Sequence, residues 1–113
     1  MKDRIRNGVI TGTKLGITHG LLVGCIYVKY KEEGGSQGYV TNVLQRPDKP
    51  ETDTVSIIEI LDTVGVKQWE DLIGQPVRVY GHDAGLKAIG NLLDAKWYSH
   101  KKGLAQELVK KYR

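Results

Sequence analysis

The sequence predicts an α+β fold: an antiparallel sheet with one central helix and a carboxy-terminal helix packed on it. Three observations lead there. The first third of the chain alternates apolar and polar positions between glycine-rich breaks, the pattern of strands joined by hairpins. Ile57, Ile60, Leu61 and Val64 then fall at i, i+3, i+4 and i+7, one apolar stripe of a helix. Leu104, Leu108 and Tyr112 extend the same logic over 103–112, a basic terminal helix. At 113 residues the chain has room for one domain, 1–113.

Taken in order, Arg4 to Leu15 alternates loosely and Gly20 to Tyr30 is rich in Leu, Val, Ile and Tyr, with Gly16 to Gly20 as the turn between them. Near the end of the second run, Ile26, Val28 and Tyr30 share one face; Tyr27, Lys29 and Lys31 share the other, which is expected to be wet. Glu32-Glu33-Gly34-Gly35-Ser36 is a turn signal, and Gln37 to Leu44 reads as the third strand of a meander. Arg46 to Glu51 reads as a loop, because Pro47 and Pro50 both disfavour a helix in the residue before them. Asp53 or Thr54 can cap the central helix, and Gly65 is a natural stop. Trp69 to Leu72 makes a further turn, and Gln75 to Tyr80 is a short strand. Over Gly81 to Gly90 the alternation of Leu86, Ala88 and Gly90 with Lys87, Ile89 and Asn91 favours another strand.

Composition excludes several classes. No stretch approaches the ~18 apolar residues of a membrane span. The charged start, Met1-Lys2-Asp3-Arg4, is not the opening of a signal peptide. A single cysteine, Cys25, rules out an internal disulfide and a cysteine-based zinc site; its apolar neighbours predict a buried thiol. These features fit a reducing cytoplasm. The net charge of +4 is unevenly spread. Lys96 to Arg113 holds six basic residues against Glu107 alone, whereas the rest of the chain holds eleven basic and twelve acidic residues. That tail is either a solvated helix face or a surface for phosphates.

Catalysis finds little support in the sequence. His19, His82 and His100 lie far apart and outside any metal motif, no serine stands in a nucleophile elbow, and Glu59 and Asp62 read as a solvated helix face. The expectation is a protein that is not an enzyme and needs no metal or cofactor. Two binding features remain. Gly34-Gly35-Ser36-Gln37-Gly38 either connects a hairpin or brings backbone N–H groups close to an anion, and it lacks P-loop and dinucleotide spacings. Tyr27, Tyr30 and Tyr39, with the basic tail, offer stacking platforms for nucleic acid; His82, in an exposed glycine-flanked turn, can also stack on a base.

Several segments together resemble a family. They are Ile10-Thr11-Gly12-Thr13-Lys14-Leu15-Gly16, the glycine loop through Tyr39, Val64-Gly65-Val66-Lys67-Gln68-Trp69-Glu70-Asp71-Leu72, and Ile89-Gly90-Asn91 followed by Lys96-Trp97-Tyr98. Over positions 8 to 98 the chain is similar to the first Thoeris anti-defence family, small phage and prophage proteins that sequester cyclic ADP-ribose signals. The resemblance implies a homo-oligomer in the cytoplasm of an infected bacterium, away from membranes. It would bind a cyclic ADP-ribose-like or cyclic oligonucleotide signal between subunits without cleaving it. It further implies that Asn91 meets a base or ribose and that His82 stands near the family's stacking position. Arg78, Lys110, Lys111 and Arg113 would meet phosphates, with Gln37 and Tyr39 completing the ligand-binding set. Glu51-Thr52-Asp53 replaces the arginine that relatives carry before the helix, and the glycine loop is shorter than theirs. Two other readings stand beside this one: a phage accessory protein for single-stranded nucleic acid, and a protein inhibitor of a host defence enzyme.

Overall fold

The computed structural model describes residues 2–32, 34–41, 45–46, 49–52 and 54–112, with backbone alone at 45–46, 49–52 and 54–55. The architecture is α+β. Strands β1 (Arg4–Thr18) and β2 (Leu21–Tyr30) form a long antiparallel hairpin that turns at His19 and Gly20. Both turn residues have positive φ. Strand β3 (Ser36–Val40) pairs with β2. A small hairpin, β4 (Gln45–Arg46) and β5 (Lys49–Thr52), continues along the same edge of β2. Helix α1 (Thr54–Val64) and a 3₁₀ turn (Trp69–Leu72) lead to β6 (Pro76–His82), β7 (Gly85–Asn91) and β8 (Trp97–Tyr98). Helix α2 (Leu104–Lys111) ends the chain's described part.

The strand order is β5-β4-β2-β1-β6-β7-β8, with β3 also on β2. β1 serves two neighbours: Arg4 to Val9 pair with β6, and Gly8 to Thr18 pair with β2. A bulge between Ile10 and Gly12 bends β1 just past the residues that pair on both sides. The bend curls the sheet until β3 faces β7 and β8. Gln37 on β3 donates to the carbonyls of His82 and Asp83 at 3.0 and 3.1 Å, and the Tyr39 ring packs edge-on against Tyr98. The result is a partly open barrel.

The barrel is filled by Ile10, Ile26, Val28, Tyr39, Val79 and Ile89, and α1 adds Ile60 and Val64. The outer face of β6 to β8 carries a second core, where Leu108 of α2 meets Ala88 and Trp97. Gly90 makes that second core possible: a Cβ there would lie 2.7 Å from the Trp97 ring.

The face assignment on β2 holds, with Ile26, Val28 and Tyr30 buried and Tyr27, Lys29 and Lys31 exposed. Other expectations need correction. Arg46 to Glu51 is not simply a loop, since Arg46 pairs with Lys49; a proline is compatible with a short edge strand. The first turn is only two residues, because β1 runs on to Thr18. The third strand ends at Val40 rather than Leu44, and 42–44 lie outside the described residues, as do Asp53 as a cap and Arg113. Cys25 is half-buried, since it points to the outer face beside Gly38. Tyr30 and Tyr39 are buried in the barrel, so of the three tyrosines read as stacking platforms only Tyr27 is open. His82 is half-buried, and Gly81 and His82 belong to β6, with the turn at Asp83 and Ala84.

Candidate functional site

One end of the barrel gathers three segments: the start of β1, the glycine loop between β2 and β3, and the β6–β7 turn. Arg4 pairs across β1–β6 with Gly81, which brings the start of the chain beside His82. Gln37 holds the other side, since its amide clamps β3 to that turn. A cleft of about 410 Å³ lies among Lys2, Asp3, Arg4, His82 and Asp83. A second, of about 280 Å³, runs from Arg4 and Asp83 past Arg6 and Tyr30 to Gly34, Gly35 and Gln37. A third, of about 250 Å³, reaches Arg6 and Tyr30 from the side of Asn7 and Glu32. Shared lining residues make the three one groove.

Arg6 anchors its floor. Its guanidinium lies 4.1 Å from the Tyr30 ring centroid, donates to Gln37 Oε1 at 2.6 Å and pairs with Asp83 at 3.2 Å. Tyr30 donates its hydroxyl proton to the same Gln37 oxygen. Gln37 therefore accepts twice and donates twice within the chain, which makes it a positioning residue. Gly34 and Gly35 have φ of 69° and 80°, which favours glycine, and a Cβ at either would meet nothing within 4 Å. The Gly35 carbonyl accepts from the Tyr30 amide at 3.0 Å, which fixes the loop, and the space on the Cβ side of both glycines is open.

Across the groove, the Ala84 amide donates to His82 Nδ1 at 3.1 Å, leaving Nε2 toward Asp3, 3.9 Å away. Lys87 donates to the other Asp3 oxygen at 2.5 Å. The hydrogen bond from Lys87 holds the Asp3 carboxyl below its ordinary 3.8 against an opposing desolvation, with the Lys87, His82 and Lys101 charges adding to the lowering. The Ala84 amide thus orients the imidazole, and Asp3 faces it beyond hydrogen-bond distance while Lys87 offsets the carboxylate charge.

The expected site residues divide into two groups. His82 and Gln37 come together at the groove. Arg78 and Asn91 lie at the other end of β6 and β7, four residues or about 13 Å along the strand from His82. Arg78 stacks over Trp97 at 4.8 Å and donates to the carbonyls of Asn91, Asp94 and Tyr112. Burial alone pulls its guanidinium below the ordinary value. Asn91 donates to the Thr63 and Val64 carbonyls at the end of α1 and accepts from the Leu93 and Asp94 amides. Both side chains are thereby engaged in holding the fold. Tyr39 is wholly buried and bonds His100 at 3.1 Å. Lys110 and Lys111 are exposed on the last turn of α2.

Lys2, Arg4, Arg6 and Tyr30 line the groove without having been singled out as its cations and floor. The available signal was the period-two spacing of Lys2, Arg4 and Arg6, which puts three cations on one face of a strand. Among the described residues, no group of three or more His, Cys, Asp or Glu side chains is placed to hold a metal ion. No helix there is long and apolar enough to cross a membrane. Compared with known proteins, the chain matches no family model, no curated sequence and no solved structure.

Proposed function

We propose that the chain captures a small nucleotide-derived anion in the barrel-end groove and withholds it intact. The observation that carries this reading is the convergence of Arg4 and the Gly34–Gly35 backbone on one groove whose floor Arg6 makes cationic. Guanidinium forks and glycine N–H groups are the donors a pyrophosphate requires. His82 offers an imidazole face at the wall, and the Asp83 carboxylate can accept from a ribose hydroxyl or an exocyclic amine. The groove is open at the surface, which suits completion by a second copy of the chain. The likeness to the first Thoeris anti-defence family supports a cyclic ADP-ribose-type ligand, a homo-oligomer, and a role in phage immune evasion inside the bacterial host. Sequestration requires tight binding and no nucleophile.

The test is capture and recovery. The protein is mixed with cyclic ADP-ribose isomers and cyclic oligonucleotides, separated from free ligand, then denatured. Recovery of an unchanged ligand, weakened about tenfold or more by Arg4→Ala through loss of a charge-assisted contact, supports the reading. A chemically altered ligand makes the protein an enzyme, and capture of none of them overturns the proposal.

A further inference from the structure

The outer face of β1, β2 and β3 is built differently from the rest of the surface. The antiparallel register sets three rows across it. Gly12, Tyr27 and Gly38 form the central row. Val9, Lys29 and Ser36 form the row on one side; Lys14, Cys25 and Val40 form the row on the other. Opposed residues in such pairs share a face, so Tyr27 lies at the centre of a patch with a lysine in each flanking row and no carboxylate. Lys14 and Lys29 are exposed and make no ion pair among the described residues.

The central row leaves the aromatic ring unwalled. A Cβ at Gly12 would lie 3.6 Å from one edge of the Tyr27 ring, and a Cβ at Gly38 would lie 3.5 Å from the other. Any larger side chain at either position would stand against the ring. With glycine at both, Tyr27 is 42% exposed and has no side chain beside it from Gly12 or Gly38, while Cys25 in the next row hydrogen-bonds its hydroxyl. Helix α2 covers the outer face of β6 to β8 and leaves this one bare.

We infer that this face binds single-stranded nucleic acid, independently of the barrel-end groove: a base stacks on Tyr27, and Lys14 and Lys29 neutralise the phosphates on either side. A strand with unpaired bases presents alternating anionic and π surfaces, the complement of this cation–ring–cation arrangement. A duplex hides the faces of its bases and lacks that complementarity.

Fluorescence anisotropy with a labelled oligo(dT) of about 12 nucleotides, a length within the site sizes of such surfaces, tests it. The oligonucleotide is expected to bind the full chain. Tyr27→Ala should weaken binding by about tenfold, within the range for loss of one stacked base, and Tyr27→Phe should retain it. Lys14→Ala with Lys29→Ala should flatten the slope of log K against log salt by about 1.4, two phosphates' worth on a single strand. Cys25, the one cysteine, lies two residues from Tyr27 on the same face, and bound oligonucleotide should slow its alkylation. Arg4→Ala should leave all of this unchanged. Absence of binding, equal affinity for a duplex, or undiminished binding by Tyr27→Ala would each overturn the proposal.

Discussion

Gln37 spends its whole amide inside the chain: its oxygen accepts from Arg6 and Tyr30, and its nitrogen donates to two carbonyls of the β6–β7 turn. Shortening it to alanine would remove one partner each from a guanidinium, a hydroxyl and two carbonyls, the Asp83 carbonyl at the surface. A hydrogen bond contributes about 0.5–1.5 kcal/mol net, so losing four is expected to destabilise Gln37→Ala by about 2–4 kcal/mol. Urea unfolding measures this directly, and an unchanged midpoint would show that the clamp is idle. Gly90 makes the opposite kind of demand, for empty space. An added methyl must displace the Trp97 ring, over which Arg78 also stacks. Gly90→Ala is expected to cost about 1–3 kcal/mol, the usual penalty for overpacking. The same denaturation, followed by tryptophan fluorescence, would report a disturbed Trp97; a wild-type spectrum and midpoint would contradict the argument.

Helix α2 is anchored by its buried Leu108, between Ala88 and Trp97, with Leu104, Ala105 and Val109 packed at the margin. Its amino-terminal neighbour Gly103 supplies no side-chain cap, and Lys110 and Lys111 favour the negative end of the helix dipole only weakly at the surface. Tertiary contact therefore carries most of its stability. Leu108→Ala is expected to cost about 2–4 kcal/mol. Proteolysis should then cleave within 100–112 well before the barrel is cut, and coincident loss of both would refute a separately stabilised helix. Both helices were legible in the sequence because apolar stripes at helical spacing record which face is buried. Strands β1 and β2 were legible for the same reason at period two. The pairs β4–β5 and β7–β8 were not, since β4 and β8 are two residues each and leave no period to read, and Pro47 and Pro50 speak against helix without speaking for loop. The site was half legible. The glycine loop and His82 carry local signals, whereas their meeting depends on contacts between Gln37 and residues 45 and 46 positions away. Asn91 and Arg78 look like ligand residues in one dimension; only the fold shows them spent on α1's last carbonyls and on the chain end.

At the scale of the whole molecule, the barrel closes through groups that titrate. Tyr39, deep in the core, accepts from the His100 amide and shares a hydrogen bond with His100 Nδ1, which ties β3 to the chain leading into α2. Burial pushes the Tyr39 hydroxyl well above its ordinary 10.0, so it stays neutral where the unfolded chain ionises, and the stability it contributes declines as pH rises above about 10. Acid acts on other groups. Burial first, and the Lys101 charge second, hold His100 below its ordinary 6.5. The unfolded chain then binds this proton more readily than the folded one. Stability from His100 is full above pH 6.5 and declines as pH falls from there toward the depressed folded value. Asp3 has the same sign in a lower window. Its carboxylate, held below 3.8 chiefly by Lys87, contributes above pH 3.8 and loses that contribution as pH falls through the folded value. The melting temperature is therefore expected to be level at neutral pH, to drop in a first step beginning near pH 6.5, and to drop again below pH 3.8. His100→Gln should remove the first step and leave the second, whereas Lys87→Met should blunt the second and leave the first. Thermal melts across that range check both. A first step that survives His100→Gln would place the titrating group elsewhere and detach barrel closure from pH.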